Sequence, residues 1–347
     1  MKLFVAVLIV VAGVCAGGTG DTSTKKDHNK DAHGVLCDVM KAAVGSWVSG
    51  GTTLTDPLKA ALKKTIFGEG GHLEDVQSFR SKLPDVYGSV LEQRESRNFA
   101  CGQSRNEEGD YSKVEQVRWS GHSAPHDMVC LCTAGSHGWP INRTGPATTL
   151  CGKDKETLKG SENKGWDSSG HDGKEQITAT WFNVTSECLQ SDEKKGEKLK
   201  DALNKFIKSL VPKPGEAHPS RKQLGEGDPN EQYACSGSSA RGVCVMYYPK
   251  DRYATPWWIQ LEQAIEKDEQ IQKQRAKEEA ESMRKEQAAT QDESQIASSS
   301  SAPTINNQTE QPHKTNNFTD KLRKFNLTGS SSITPPSSWL LSAAFLI

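Results

Sequence analysis

Residues 256–291 read PWWIQLEQAIEKDEQIQKQRAKEEAESMRKEQAATQ. Pro256 suits a first helical turn, where its missing N–H would have no partner in any case. Trp257, Trp258, Leu261 and Ile265 then recur at three- and four-residue steps, which predicts a helix whose opening turns face a core. From Glu266 to Arg275 the only apolar residue is Ile271. Oppositely charged neighbours nevertheless support a long, solvated helix to about residue 290. Ala276, Ala280 and Met283 offer a narrow seam that stops at polar Gln287, so packing along this stretch is thin. The two tryptophans are read as core at the head of an amphipathic helix rather than as a ligand platform.

Working outward, two more stretches carry the helical period. Leu36, Val39, Met40, Ala43 and Trp47 form one stripe, ended by the Ser-Gly-Gly of residues 49–51, and Leu199, Leu203, Phe206, Ile207 and Leu210 form another, stopped by Pro212 and Pro214. Shorter helices are expected at Pro57 to Phe67 and Leu73 to Leu91. From Cys101 to Cys188 no period persists, and the expectation is a loop-rich lobe with short strands around VEQVRW (114–119) and QITATWFNV (176–184). Residues 213–253 read as a second excursion of that kind, closed locally if Cys235 pairs with Cys244. The fold class is therefore mainly α.

The ends of the chain carry signals of a different sort. MKLFVAVLIVVAGVCAGG places Lys2 before an apolar run and then small residues, the layout of a secretory signal peptide removed after Ala16 or Gly17. At the other end Gly329 to Ser332, a short polar spacer and the apolar WLLSAAFLI are arranged as the signal for a glycosylphosphatidylinositol (GPI) anchor, with Ser330 as the attachment residue. The expected division is a signal peptide at 1–16, a helical ectodomain at 17–290, a flexible glycosylated linker at 291–330, and an anchor signal at 331–347. Residues 291–330 are rich in Ser, Asn, Thr and Gln and too poor in apolar residues to bury a core.

Cysteine usage agrees with export. Of nine cysteines, Cys15 lies in the removed segment. An even set remains, Cys37, Cys101, Cys130, Cys132, Cys151, Cys188, Cys235 and Cys244, which reads as four disulfides of undetermined pairing. Five Asn-X-Thr acceptor sites stand at Asn142, Asn183, Asn307, Asn317 and Asn326, and glycan is added to such sites only in the secretory pathway.

Composition and motif exclude more than they assign. With 43 basic and 44 acidic residues the chain has no basic excess for nucleic acid. HSAPHDMVCLC places His122 and His126 four apart and Cys130 and Cys132 just beyond, a set that suits zinc on a helix. Pro125 between the histidines, an oxidising compartment and the lack of a glutamate beside either histidine point instead to a disulfide-pinned loop. The even cysteine count leaves no thiol nucleophile. No Gly-X-Ser-X-Gly elbow or phosphate-cradling glycine loop is present. The expectation is no enzyme, no metal and no cofactor.

Taken in order, the signal peptide, GVLCDVMKAAVGSWV (34–48), VRWSGHSAPHDMVCLCTAG (117–135), ATWFNVTSECLQ (179–190), YACSGSSARGVCVMYYP (233–249), PWWIQLEQAIEK (256–267) and the closing SITPPSSWLLSAAFLI (332–347) resemble a variant surface glycoprotein of African trypanosomes. That resemblance implies an elongated helical ectodomain with a long antiparallel helical pair, formed here by the helices from Gly34 and Pro256. It also implies a homodimer, attached to the plasma membrane through a lipid anchor, that shields the parasite from host antibodies by antigenic variation. One departure is that residues 291–330 contain no cysteine, so this stretch is expected to be a simple linker rather than the cysteine-rich C-terminal domain of many relatives. The alternative is a GPI-anchored receptor of related fold that takes up a host protein.

Overall fold

The computed structural model of the chain describes residues 26–70, 74–92, 97–105, 116–142, 148–168, 173–191, 198–229 and 234–298. The chain divides into two units, Met1–Ser282 and Met283–Ile347. The described residues are mainly helical and carry four disulfides.

The first long helix, α1 (Lys30–Gly50), buries Leu36, Val39, Met40 and Ala43 of the expected stripe and Val44 beside them, while Trp47, the last of the stripe, is half-buried. The leucine, valine and methionine side chains contribute about 1.5–3 kcal/mol each when removed from water. α1 packs on α2 (Asp56–Phe67) and α9 (Leu199–Ser209), whose buried faces are Leu58, Ala61, Leu62, Ile66 and Phe67 on one and Ala202, Leu203 and Phe206 on the other. Pro57 opens α2 in its first turn and Gly68 closes it at φ 85°. Gly68 cannot carry a side chain, because a Cβ there would run into the imidazole of His122.

The stretch 73–91 yields two short helices rather than one, α3 (Val76–Ser81) and α4 (Val86–Glu92). Pro84 lies in the break; it disfavours helical geometry in the residue before it. Asp75 caps α3 by accepting from the backbone N–H groups of Gln77 and Ser78. Then come α5 (Arg97–Gly102) and α6 (Ala124–Cys132). Edge-to-face and tilted contacts link Trp47, Phe67, Phe79, Trp181 and Tyr87 in series from α1 toward α6.

Two expectations of strand are overturned. Of residues 114–119, 114 and 115 lie outside the described residues and 116–119 are not a strand. QITATWFNV is helical: α7 (Lys174–Thr180) runs into a π-turn at Trp181–Thr185 and on into α8 (Ser186–Cys188). Its β-branched and aromatic residues favour strand in isolation. Here, however, Ile177, Trp181, Val184 and Cys188 are buried at helical spacing, and packing overrides the propensity.

Strand structure lies elsewhere. β1 (Asp27–His28) pairs in parallel with β2 (Thr149–Leu150). β3 (Val211–Pro212), β4 (Lys222–Glu226) and β5 (Val243–Tyr247) form an antiparallel sheet in the order β3-β4-β5, with Leu224 opposite Val245. Residues 213–253 are thus more regular than expected, and β5 is buried at every position.

The last helix, α10 (Trp257–Ser298), begins one residue after Pro256. Trp257, Trp258, Leu261, Ala264 and Ile265 are buried as core. Thr55 ahead of α2 donates to Asp268 at 2.8 Å, and Lys200 of α9 pairs with Glu269 at 2.7 Å. From residue 272 to 288 every side chain is exposed, the Ala276, Ala280 and Met283 seam included.

Candidate functional site

The segment HSAPHDMVCLC is neither a loop nor a metal centre. Ser123 caps α6 by accepting from the backbone N–H of His126, and Pro125 falls in the first turn, where a proline is tolerated. All nine residues of the helix are buried. Cys130 is bonded to Cys101 of α5 and Cys132 to Cys151 just beyond β2, so one turn of α6 is stapled to two separate segments. Cys37–Cys188 ties α1 to α8, and Cys235–Cys244 closes the local loop that the spacing suggested.

The two histidines are built into the interior. His126 has both ring nitrogens engaged, Nε2 with the carbonyl of Ala100 at 2.9 Å and Nδ1 with the hydroxyl of Tyr87 at 3.2 Å. Only the tautomer protonated at Nε2 satisfies both, and it leaves no lone pair for a metal. Burial lowers this imidazole to about 3 and holds it neutral. His122, whose pKa burial also depresses, lies edge-on to Trp119 at 4.5 Å and to His126 at 6.3 Å. Among the described residues, the ligand atoms of His33, Cys37 and Cys188 lie within 4.8 Å of one another. The two sulfurs share a disulfide, so no thiolate is available there.

Asp127 is the centre of the polar interior. It is fully buried, and its carboxyl accepts from Gly121 N at 2.9 Å, Tyr247 Oη at 2.8 Å and Trp257 Nε1 at 2.7 Å. One side chain thereby joins α6 to β5 and to the first residue of α10. Burial pushes the carboxyl up to about 7, against the downward pull of its three donors.

Arg97 secures the other end of α6. Its guanidinium donates to the carbonyls of Cys130 and Thr133, and to that of Trp166, over whose ring it also stacks at 5.1 Å. The last carbonyls of a helix have no partner within it, and a cation there meets the negative end of the helix dipole. Burial brings this guanidinium down to about 9. Asn29, in left-handed geometry at φ 58°, performs a similar service for the sheet. Its amide donates to Leu131 O at 2.8 Å and Val243 O at 2.7 Å, while its oxygen accepts from Glu226 N at 2.8 Å.

Of the expected glycan acceptors, Asn142 is half-buried and donates to His137 O, and Asn183 is half-buried in the π-turn. Asn307, Asn317, Asn326, Ser330, the 1–16 segment and the 299–347 region lie outside the described residues. Sequence reasoning passed over Asn29, Arg97, Asp127 and Tyr247. Asp127 had a visible signal, a lone acid inside the apolar run MVCLC and its flank; Arg97 had none.

These features define a disulfide-stapled helical domain whose polar interior is devoted to holding its own elements together. The chain belongs to the family of the trypanosomal VSG domain, whose model matches residues 38–287. It is a family of structural surface-coat proteins rather than of enzymes. No curated protein matches the chain.

Proposed function

We propose that the protein is held on the parasite surface by a glycosylphosphatidylinositol anchor on Ser330 and shields the plasma membrane as one of a set of exchangeable coats. The family match over residues 38–287 carries the reading, and the processing signals at both ends of the sequence support it. On this reading the chain is exported after loss of residues 1–16, works as a homodimer, and meets host antibodies with its outer face. A lipid anchor has no cytoplasmic segment, so function rests on bulk, glycan and lateral packing.

The division of labour within the domain fits that role. The interior is fixed by disulfides and by hydrogen bonds among buried groups, whereas the length of α10 from residue 272 to 288 is exposed. Exposed charged positions tolerate exchange at little cost in stability, so an antigenic surface can change while the scaffold stays the same.

Treatment of intact cells with phosphatidylinositol-specific phospholipase C tests the anchor. The expected result is release of the protein, with a C-terminal peptide ending at Ser330, or within a residue of it, and bearing the glycolipid remnant. A peptide that still ends at Ile347 would refute the anchor.

A further inference from the structure

The interior leaves one exposed face of the domain without a purpose. Lys174, Glu175, Thr178, Phe182 and Asn183 share one side of α7 and the π-turn, and with Lys159 they line an open groove of about 630 Å3. Phe182 is 44% exposed, the only phenylalanine, tyrosine or tryptophan side chain so exposed among the described residues. A ring presented to solvent amid lysines, a carboxylate and a hydroxyl is chemistry that suits a pyranose, whose apolar face covers the ring while its hydroxyls reach the polar rim.

We infer that this groove seats the first sugars of an N-linked glycan carried by Asn183, with Phe182 as their platform. The inference rests on the export reading given above. The acceptor residue itself lines the groove. Asn183 Nδ2 donates to Ala179 O at 2.9 Å and, weakly, to Thr157 O at 3.4 Å. Substitution of one amide hydrogen leaves the other for Ala179, so the helix keeps its bond while the weak one is given up. The sugar then emerges beside the turn that carries Lys159 and over Phe182.

The acceptor triplet also fixes when the modification happens. Val184 is 1% exposed and Thr185 0%, so a transferase cannot reach the threonine once the π-turn has packed. Glycan is therefore added to the unfolded, entering chain. In that step the amide nitrogen forms a bond to C1 of the first sugar of a lipid-linked oligosaccharide diphosphate. The C1–O bond to the carrier breaks, the diphosphate leaves, and the amide proton passes to solvent.

The test uses the full chain secreted from a eukaryotic host, with mass analysis of the Asn183 peptide and thermal unfolding of the purified protein. Wild type, Asn183→Gln, Phe182→Ala and the double variant are compared. The expected result is glycan at Asn183, and a midpoint lowered by about 2–4 °C more by Asn183→Gln when Phe182 is present than when residue 182 is alanine, the loss of the bond to Ala179 being common to both. An occupied Asn183 whose loss has the same effect in both backgrounds overturns the seating on Phe182. A bare Asn183 beside glycan at other acceptor sites overturns the whole inference and leaves export standing. A chain that retains residues 1–16 and carries no glycan at all overturns both.

Discussion

In α6 every residue from Ala124 to Cys132 is buried, and its acid and its histidine each have hydrogen-bond partners from other elements. In α10, by contrast, every side chain from residue 272 to 288 is exposed, although that stretch is denser in charge. A charge inside the domain is costly unless it is paired, whereas a charge in water costs almost nothing. The first helix is therefore nearly immutable and the second nearly free. A coat protein needs that combination: a scaffold that survives repeated change of its surface.

The contrast is broken most severely at Arg97. Replacement by methionine strips the donor from the carbonyls of Cys130, Thr133 and Trp166, and should reduce stability by about 3–5 kcal/mol in denaturant titration. A loss under about 1 kcal/mol would mean that the end of α6 is held by other groups.

The adjacent tryptophans at the head of α10 give a finer comparison. Trp257 donates to Asp127, whereas the indole nitrogen of Trp258, also buried, has no partner among the described residues. Trp257→Phe should cost about 1–3 kcal/mol more than Trp258→Phe, since only the former leaves a buried carboxyl short of a donor. Equal losses would remove Asp127 from its assigned place.

Titration separates the two neighbouring ionisable groups of α6. Asp127, raised to about 7 when folded, favours the fold when protonated; its contribution is full below about pH 4 and is lost as the pH rises through 7. His126, lowered to about 3, contributes fully above about pH 6.5 and loses that contribution as the pH falls toward 3. Between these limits the two oppose each other. In Asp127→Asn the opposition is gone, and stability should climb from pH 4 to 6.5 with a slope of up to about 1.4 kcal/mol per pH unit for this histidine. Parallel profiles for the variant and the parent protein would contradict the assignment.

The smallest effect belongs to α10. Charge reversal at Lys277 or Glu281 should shift stability by no more than about 0.5 kcal/mol, measured by the same titration. A larger loss would show that this surface is covered in the native protein.

How far the sequence could be read follows the same division. Helices α1, α2, α9 and α10 were legible because each turns a wet face and a dry face, which writes a 3.6-residue period into the chain. α6 was not, because an element buried on all sides has no polar face and hence no period; α7 was not, because the β-branched and aromatic residues from it into the π-turn favour strand in isolation. Their cysteines, prolines and β-branched residues pointed to loop and strand instead. β5, buried at every position, was missed for the same reason as α6. The polar centre was half legible: the histidines and cysteines drew attention as reactive residues, whereas Asp127 and Arg97, which hold the fold, are recognisable only once the distant Gly121, Tyr247, Trp257 and Trp166 have been brought beside them.

Counting the protein on living cells tests the central claim most directly. Surface labelling followed by quantitation should find enough copies to cover the whole plasma membrane, evenly distributed. A scarce protein confined to one membrane pocket would contradict a coat and favour an anchored receptor that takes up a host protein.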